Sequence, residues 1–262
     1  MMSPVIHPTA IVDPSAVLAE DVEVGAYSII GAEVTVGPGT KIGPHTQIEG
    51  PSVIGSNNRF FGQSSIGTEP QDLKFHQERT ELRIGDDNTF REFVTINRGT
   101  AGGGGVTTIG SNNFFMTGSH VAHDCHVGSG IIFANSATLA GHVEVGSHAT
   151  VGAFSAVHQF CRVGDHAFIG GFTVATQDVL PYVKTVGNRP AKTYGINTIG
   201  LQRKGFSKET ISALQRAYRL LTMSHLRLEP ALDKIEQDFA DVDEAMNLVR
   251  FIRQTQRGVI RR

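Results

Sequence analysis

Residues 22–48 read VEVGAYSIIGAEVTVGPGTKIGPHTQI, and the spacing of their apolar residues decides the fold. Val24, Ile30, Val36, Ile42 and Ile48 stand six apart. The same beat reaches back to Ile6, Val12 and Leu18 and on to Ile54, Phe60 and Ile66. It restarts at Ile109 and runs through Phe115, Val121, Val127, Phe133, Leu139, Val145, Val151, Val157 and Val163 to Ile169. Four residues after an anchor comes a small or β-branched residue, as at Ser28, Val34, Thr40, Thr46, Ser119, Cys125 and Ala137. A period of six does not match a helix. It fits short strands joined by corners, with the small slot and the next anchor on the same face. One such strand cannot bury its apolar side alone, so coils stack and share a core. Three hexads make a triangular coil of eighteen residues, stacked at roughly 4.8 Å. Gly often follows the anchor, as at Gly25, Gly31 and Gly43, and predicts positive φ at the corners. A sandwich or barrel of short strands would not hold this register, so the chain reads as mainly β, a parallel β-helix.

The 262 residues suffice for one elongated domain and a smaller one, expected at 1–190 and 191–262. A net charge of −2 argues against a nucleic-acid binder. No apolar run has membrane-spanning length and no signal-peptide pattern opens the chain, so a cytoplasmic location is expected. Cys125 and Cys161 fall in the inward slot and read as packing residues, not a disulfide or a nucleophile. Loops at 68–82 and 98–108 interrupt the beat. The first contains Gln71-Asp72-Leu73-Lys74. The register resumes at Ile84, eighteen after Ile66, as if one coil's worth of residues were pushed out. The second carries Gly102–Gly105 and shifts the register by one. No Gly-Lys-Ser/Thr follows it, so it reads as a flexible external loop and not a phosphate loop.

After about Asp178 helical periodicity takes over. Ser207 caps a helix over Lys208–Met223, with Ile211, Leu214, Tyr218 and Leu221 on one face. Helices over Glu229–Phe239 and from Val242 to about Gln256 follow. From Asn197 onward there are 12 Lys/Arg against 8 Asp/Glu, while the rest carries 11 against 17. The basic end is either solvated helix faces or a docking surface for an acidic partner.

Histidines crowd the second half, most densely in Ser119-His120-Val121-Ala122-His123-Asp124-Cys125-His126. On the six-residue ruler Val121 points inward, and His123 and Asp124 fall at an exposed corner. Eighteen residues on lie Gly141 and His142. A His, a carboxylate and a Gly N–H would share one edge, which supplies a general base, an orienting group and an oxyanion donor. His158 lies two coils above Ala122 and points outward. A zinc site, as in β-helix carbonic anhydrases, would need three converging histidines; His120, His123 and His126 do not converge along one strand and corner.

The motifs Gln71-Asp72-Leu73-Lys74, Ala122-His123-Asp124-Cys125, Leu139-Ala140-Gly141-His142, Ala156-Val157-His158-Gln159-Phe160, Gln177-Asp178-Val179 and Gly205-Phe206-Ser207 stand in order over the whole length. Through them the chain resembles the UDP-N-acetylglucosamine O-acyltransferase family of hexapeptide-repeat acyltransferases. The resemblance implies a left-handed parallel β-helix with a C-terminal α-helical domain, and a homotrimer with active sites between neighbouring prisms. It implies transfer of a 3-hydroxyacyl chain from acyl carrier protein to the 3-hydroxyl of a UDP-sugar, in the first step of lipid A biosynthesis. The donor is the phosphopantetheine thioester of the carrier, and no other cofactor is expected. The resemblance places the base at His123, its partner at Asp124 and the oxyanion donor at Gly141. Substrate contacts fall at Gln71, Asp72, Lys74, His120, His142, His158, Gln159, Asn197, Arg203 and Lys204, and the end of the acyl pocket at Gly171.

Two departures stand out. Asn97 replaces a common His, which opens the alternative of a 3-amino sugar acceptor. Lys204 replaces a common Arg and gives up bidentate geometry on phosphate. A related sugar N-acyltransferase is the nearest enzymatic rival, but it has an extra N-terminal domain, whereas here the repeat begins at Ile6. A catalytically dead carrier-protein scaffold is the non-enzymatic rival; the intact His123, Asp124 and Gly141 argue against it.

Overall fold

The structure is a computed structural model and describes residues 3–261. Short parallel strands wind into a left-handed β-helix whose three walls are sheets of eleven, nine and eight strands. Sheet 1 begins at Val5–Ile6, sheet 2 at Ile11–Val12 and sheet 3 at Val17–Leu18. Away from the loops each strand residue pairs with the one eighteen further on, as Ile6 with Val24 and Val121 with Leu139. The anchors line the core. Phe60, Phe90, Phe115 and Phe133 form a buried stack inside sheet 1, with ring centroids 4.6, 4.9 and 4.7 Å apart. That spacing is the strand spacing itself, so the backbone sets the stack. Burial of each ring contributes roughly 1.5–3 kcal/mol. In the slot, Asn58, Asn88 and Asn113 form a ladder, each side-chain oxygen accepting the next backbone N–H at 2.8–3.0 Å. Cys125 and Cys161 occupy the same slot, buried and unbridged.

Gly67, at φ +72, behaves as expected, but the other glycines after the anchors have a different role. Positive φ falls two residues later, at Tyr27, Glu33, His45, Asp124, His142 and Phe160 among others. Gly43 and Gly152 are instead pressed against the next coil: an added Cβ would lie 2.6 Å from the backbone of Phe61 or Gly170. They are small because coils touch there.

The loops also differ in size from the reading above. Across the first, paired residues stand 30 apart instead of 18, so twelve residues are extruded and not a whole coil. Across the second the separation is 25, so seven are extruded. Each loop leaves at the corner between a sheet 2 strand and a sheet 3 strand: Ser65–Thr68 to Glu81–Ile84, and Thr95–Asn97 to Val106–Ile109. Both therefore project from one edge of the prism, the 2/3 edge.

The coils end in an antiparallel pair, Val183–Val186 with Lys192–Ile196, which the sequence pattern did not suggest. Among the described residues four α-helices follow: α1 Thr198–Arg203, α2 Lys208–Thr222, α3 Leu228–Asp238 and α4 Asp243–Arg253. Ser207 caps α2 by accepting the Thr210 N–H at 3.0 Å. Ile211, Leu214, Tyr218 and Leu221 are buried in a second core that begins at Leu180. No described helix is long and apolar enough to cross a membrane.

Candidate active site

His120–Val121 is a strand of sheet 2 and His126–Val127 the next strand, in sheet 3, so His123 and Asp124 turn the 2/3 edge. His123 Nδ1 lies 2.7 Å from Asp124 Oδ2. Asp124 is not at an exposed corner, as the ruler had placed it: its side chain has no accessible surface. The glycine loop covers it. Thr100 donates its N–H to Asp124 Oδ1 at 2.7 Å and its hydroxyl to Oδ2 at 2.6 Å. Gly103 packs so tightly that an added Cβ would sit 2.0 Å from the carboxyl carbon. The 98–108 loop is thus a clamp on a buried carboxylate, whose oxygens need such donors once they are removed from water. A carboxylate only accepts, so His123 Nδ1 carries the proton and Nε2 is left bare. That edge of the ring faces Gly141, whose ideal Cβ would lie 2.8 Å from Nε2 and 2.6 Å from Cε1. Among the described residues the Gly141 N–H has no hydrogen-bond acceptor.

His142, one coil on, meets His123 edge to face at 5.1 Å and stacks on Phe160 at 4.4 Å. Burial lowers its pKa; Asp124 and Asp72 oppose that, and His123 reinforces it. The pull from Asp72 ties the 68–82 loop electrostatically to this edge. His120 donates to or accepts from Thr95 Oγ1 at 2.7 Å, and burial, then His123, lowers its pKa. Gly103, Asp124, His142 and Phe160 line a cavity of about 320 Å³, together with Gln254 and Gln256 from the C-terminal end of the chain. Among the described residues His123, Asp124 and His142 bring three ligand atoms within 4.8 Å. Asp124 Oδ2 is already engaged by Thr100 and His123, while His120 and His126 each turn to a threonine on its own sheet. The three-histidine zinc set does not converge within this chain.

The six-repeat bacterial transferase hexapeptide model matches residues 3–38, and the model for domain 2 of UDP-N-acetylglucosamine O-acyltransferase matches residues 178–260. A protein of Stenotrophomonas maltophilia named acyl-[acyl-carrier-protein]–UDP-N-acetylglucosamine O-acyltransferase is 50% identical over 99% of this chain and 98% of its own. One of the same name from Syntrophobacter fumaroxidans is 49% identical over 98% and 99%. The chain belongs to the UDP-N-acetylglucosamine O-acyltransferase family. Solved structures agree. The Francisella novicida acyltransferase superposes with a TM-score of 0.96 at 37% identity, covering 98% of this chain and 94% of that one. The Moraxella catarrhalis enzyme gives 0.95 at 42%, covering 98% and 99%.

The residues that the family resemblance marks do not gather at one place in a single chain. His120, His123, Asp124, Gly141, His142, His158 and Gln159 follow the 2/3 edge, and the loop with Gln71, Asp72 and Lys74 rises from it. Gln71 and Lys74 are exposed there. Asn197, Arg203 and Lys204 lie at the 3/1 edge with His148 and His166, around a cavity of about 540 Å³. Asn197 caps α1 through Gly200 and donates to the His166 carbonyl at 3.1 Å. Gly171 turns the 1/2 edge, beside the Ala153 carbonyl. Asn97 is buried, and its amide donates to the Glu69 carbonyl at 2.7 Å and Thr68 Oγ1 at 3.1 Å. Its contacts are with the root of the 68–82 loop.

Motif reading gave no role to Thr100, Gly103 or Phe160. Phe160 was within reach, since it stands eighteen after His142 in the same corner column. Thr100 sits in an off-register loop, where the ruler says nothing.

His166 yields a pH prediction. Burial, then His148, with Lys204 adding to them, depresses its pKa from 6.5 to about 4, against an opposing pull from Asp165. Between those values the folded chain binds fewer protons than the unfolded chain. Stability is full above pH 6.5 and declines as pH falls toward about 4. The melting temperature is expected to drop through that window, and His166→Gln is expected to flatten the drop. An equally steep decline in the variant would count against it.

Proposed function

We propose that this chain transfers a 3-hydroxyacyl group from acyl carrier protein to the 3-hydroxyl of UDP-N-acetylglucosamine, the first step of lipid A biosynthesis. The observation that carries the reading is His123, held by a buried Asp124 with its bare Nε2 beside Gly141, in a family whose full-length relatives are named acyl-[acyl-carrier-protein]–UDP-N-acetylglucosamine O-acyltransferase. His123 Nε2 takes the proton of the sugar hydroxyl as its oxygen attacks the thioester carbonyl. The Gly141 N–H receives the developing oxyanion, which is worth about 2.7–4 kcal/mol per donor. Asp124 steadies the imidazolium. Collapse of the tetrahedral intermediate expels the carrier thiolate, which takes the proton back from His123. The products are the sugar ester and the free carrier thiol. No acyl-enzyme forms on cysteine: both thiols are buried, and burial pushes Cys125 to about 12 and Cys161 to about 11.

The homotrimer implied by the family resemblance is supported by the scattering of the site. Arg203 and Lys204, needed on pyrophosphate, sit on a different edge from His123, so a cleft between two copies would join them. The basic helical end suits an acidic carrier protein. All steps use soluble partners, which fits a cytoplasmic enzyme.

The test incubates the purified chain with 3-hydroxyacyl carrier proteins of several lengths and with UDP-N-acetylglucosamine or its 3-amino analogue, followed by product mass. One ester per carrier thiol released is expected. No transfer to either acceptor would overturn the reading, and product from the amino sugar alone would move the acceptor to nitrogen.

A further inference from the structure

The end of the chain returns to the coils and is tied down there. Thr255 donates its hydroxyl to Asp178 Oδ2 at 2.8 Å, the Asp178 N–H donates to the Gly258 carbonyl at 2.9 Å, and the Ile260 N–H donates to the Asp178 carbonyl at 2.9 Å. Gly258, at φ +72, makes the turn, and Ile260 enters the β-helix core. Gln177 holds the Arg257 carbonyl at 3.3 Å. With backbone fixed on both sides, the Arg257 guanidinium reaches the 2/3 edge. It lies 3.1 Å from His158 Nδ1.

A guanidinium has donors and no acceptor. His158 Nδ1 therefore accepts from Arg257, and the neutral ring carries its proton on Nε2. A rival partner for the same nitrogen is the Gln159 carbonyl, 3.2 Å away. A carbonyl only accepts, so that contact requires the proton on Nδ1. One nitrogen cannot do both, and Arg257 decides between the tautomers. We propose that Arg257 is a positioning residue that holds exposed His158 in its Nε2–H form, presenting a hydrogen-bond donor to the oxygens of the sugar nucleotide. The substrate part of this rests on the acyl-transfer reading above.

Histidine tautomers are read directly from long-range proton–nitrogen spectra of the full chain labelled with ring-¹⁵N histidine, with His158 assigned by its loss in His158→Gln. The wild-type ring is expected to show a protonated Nε2 and a bare Nδ1. Arg257→Met is expected to move the proton to Nδ1, and Arg257→Lys, which keeps a donor, to restore the wild-type pattern. In kinetics Arg257→Met is expected to raise KM for the sugar nucleotide about five- to tenfold, the worth of roughly one hydrogen bond, with a smaller change in kcat. A wild-type His158 protonated on Nδ1, or an unchanged tautomer in Arg257→Met, would overturn the proposal. The expected tautomers with an unmoved KM would leave Arg257's hold on the ring standing and overturn the substrate role of His158.

Discussion

Replacing His123 by alanine is expected to lower kcat for acyl transfer about 10²–10⁴-fold, the usual contribution of a positioned general base. The neighbouring histidines do not substitute for it. His142 Nε2 is 3.7 Å from Asp124, beyond hydrogen-bond reach, and burial lowers its pKa. His120 is engaged with Thr95. The fold is expected to survive, because Asp124 keeps both donors from Thr100. Steady-state kinetics beside a melting curve checks both halves. Near-normal turnover in a folded variant would remove His123 from the mechanism.

The second large effect is expected from Gly141→Ala. The new methyl would lie 2.6 Å from His123 Cε1, 2.8 Å from Nε2 and 3.2 Å from Nδ1. The ring cannot swing away without losing its 2.7 Å bond to Asp124. Gly141 is outside the left-handed region, so the backbone itself accepts alanine. The damage should therefore fall on ring placement, where a shift of about 1 Å can cost about 10²-fold. A fall in kcat of that order, with the melting temperature close to that of the parent, is the expected result. Unchanged kinetics would mean that the ring works from another position.

The hexad ruler made the coil, the core and the 2/3 edge legible, because a fixed period converts sequence distance into stacking. Eighteen residues carried His123 to Gly141 and Asp124 to His142 before any coordinates. The ruler failed where the period breaks. It exposed Asp124, because the lid over it comes from Thr100 and Gly103 in a loop with no register. It misread the glycines, because a close approach between coils and a left-handed corner both leave glycine in the sequence. The hairpin at Val183–Val186 and Lys192–Ile196 lies where neither period holds. The tail escaped for another reason: Arg257 meets His158 across 99 residues, and no local pattern records such a contact.

Those missed pieces sharpen the central claim, which is that Asp124 acts through His123 and not independently. In the proposed mechanism the buried carboxylate fixes the tautomer and supports the imidazolium, and it reaches the reaction by no other route. The measurement that tests this most directly is a double-mutant cycle of kcat with His123→Ala, Asp124→Asn and the pair. The account predicts that Asp124→Asn slows the wild-type enzyme but leaves the His123→Ala enzyme almost unchanged. Losses that multiply in the double variant would contradict it.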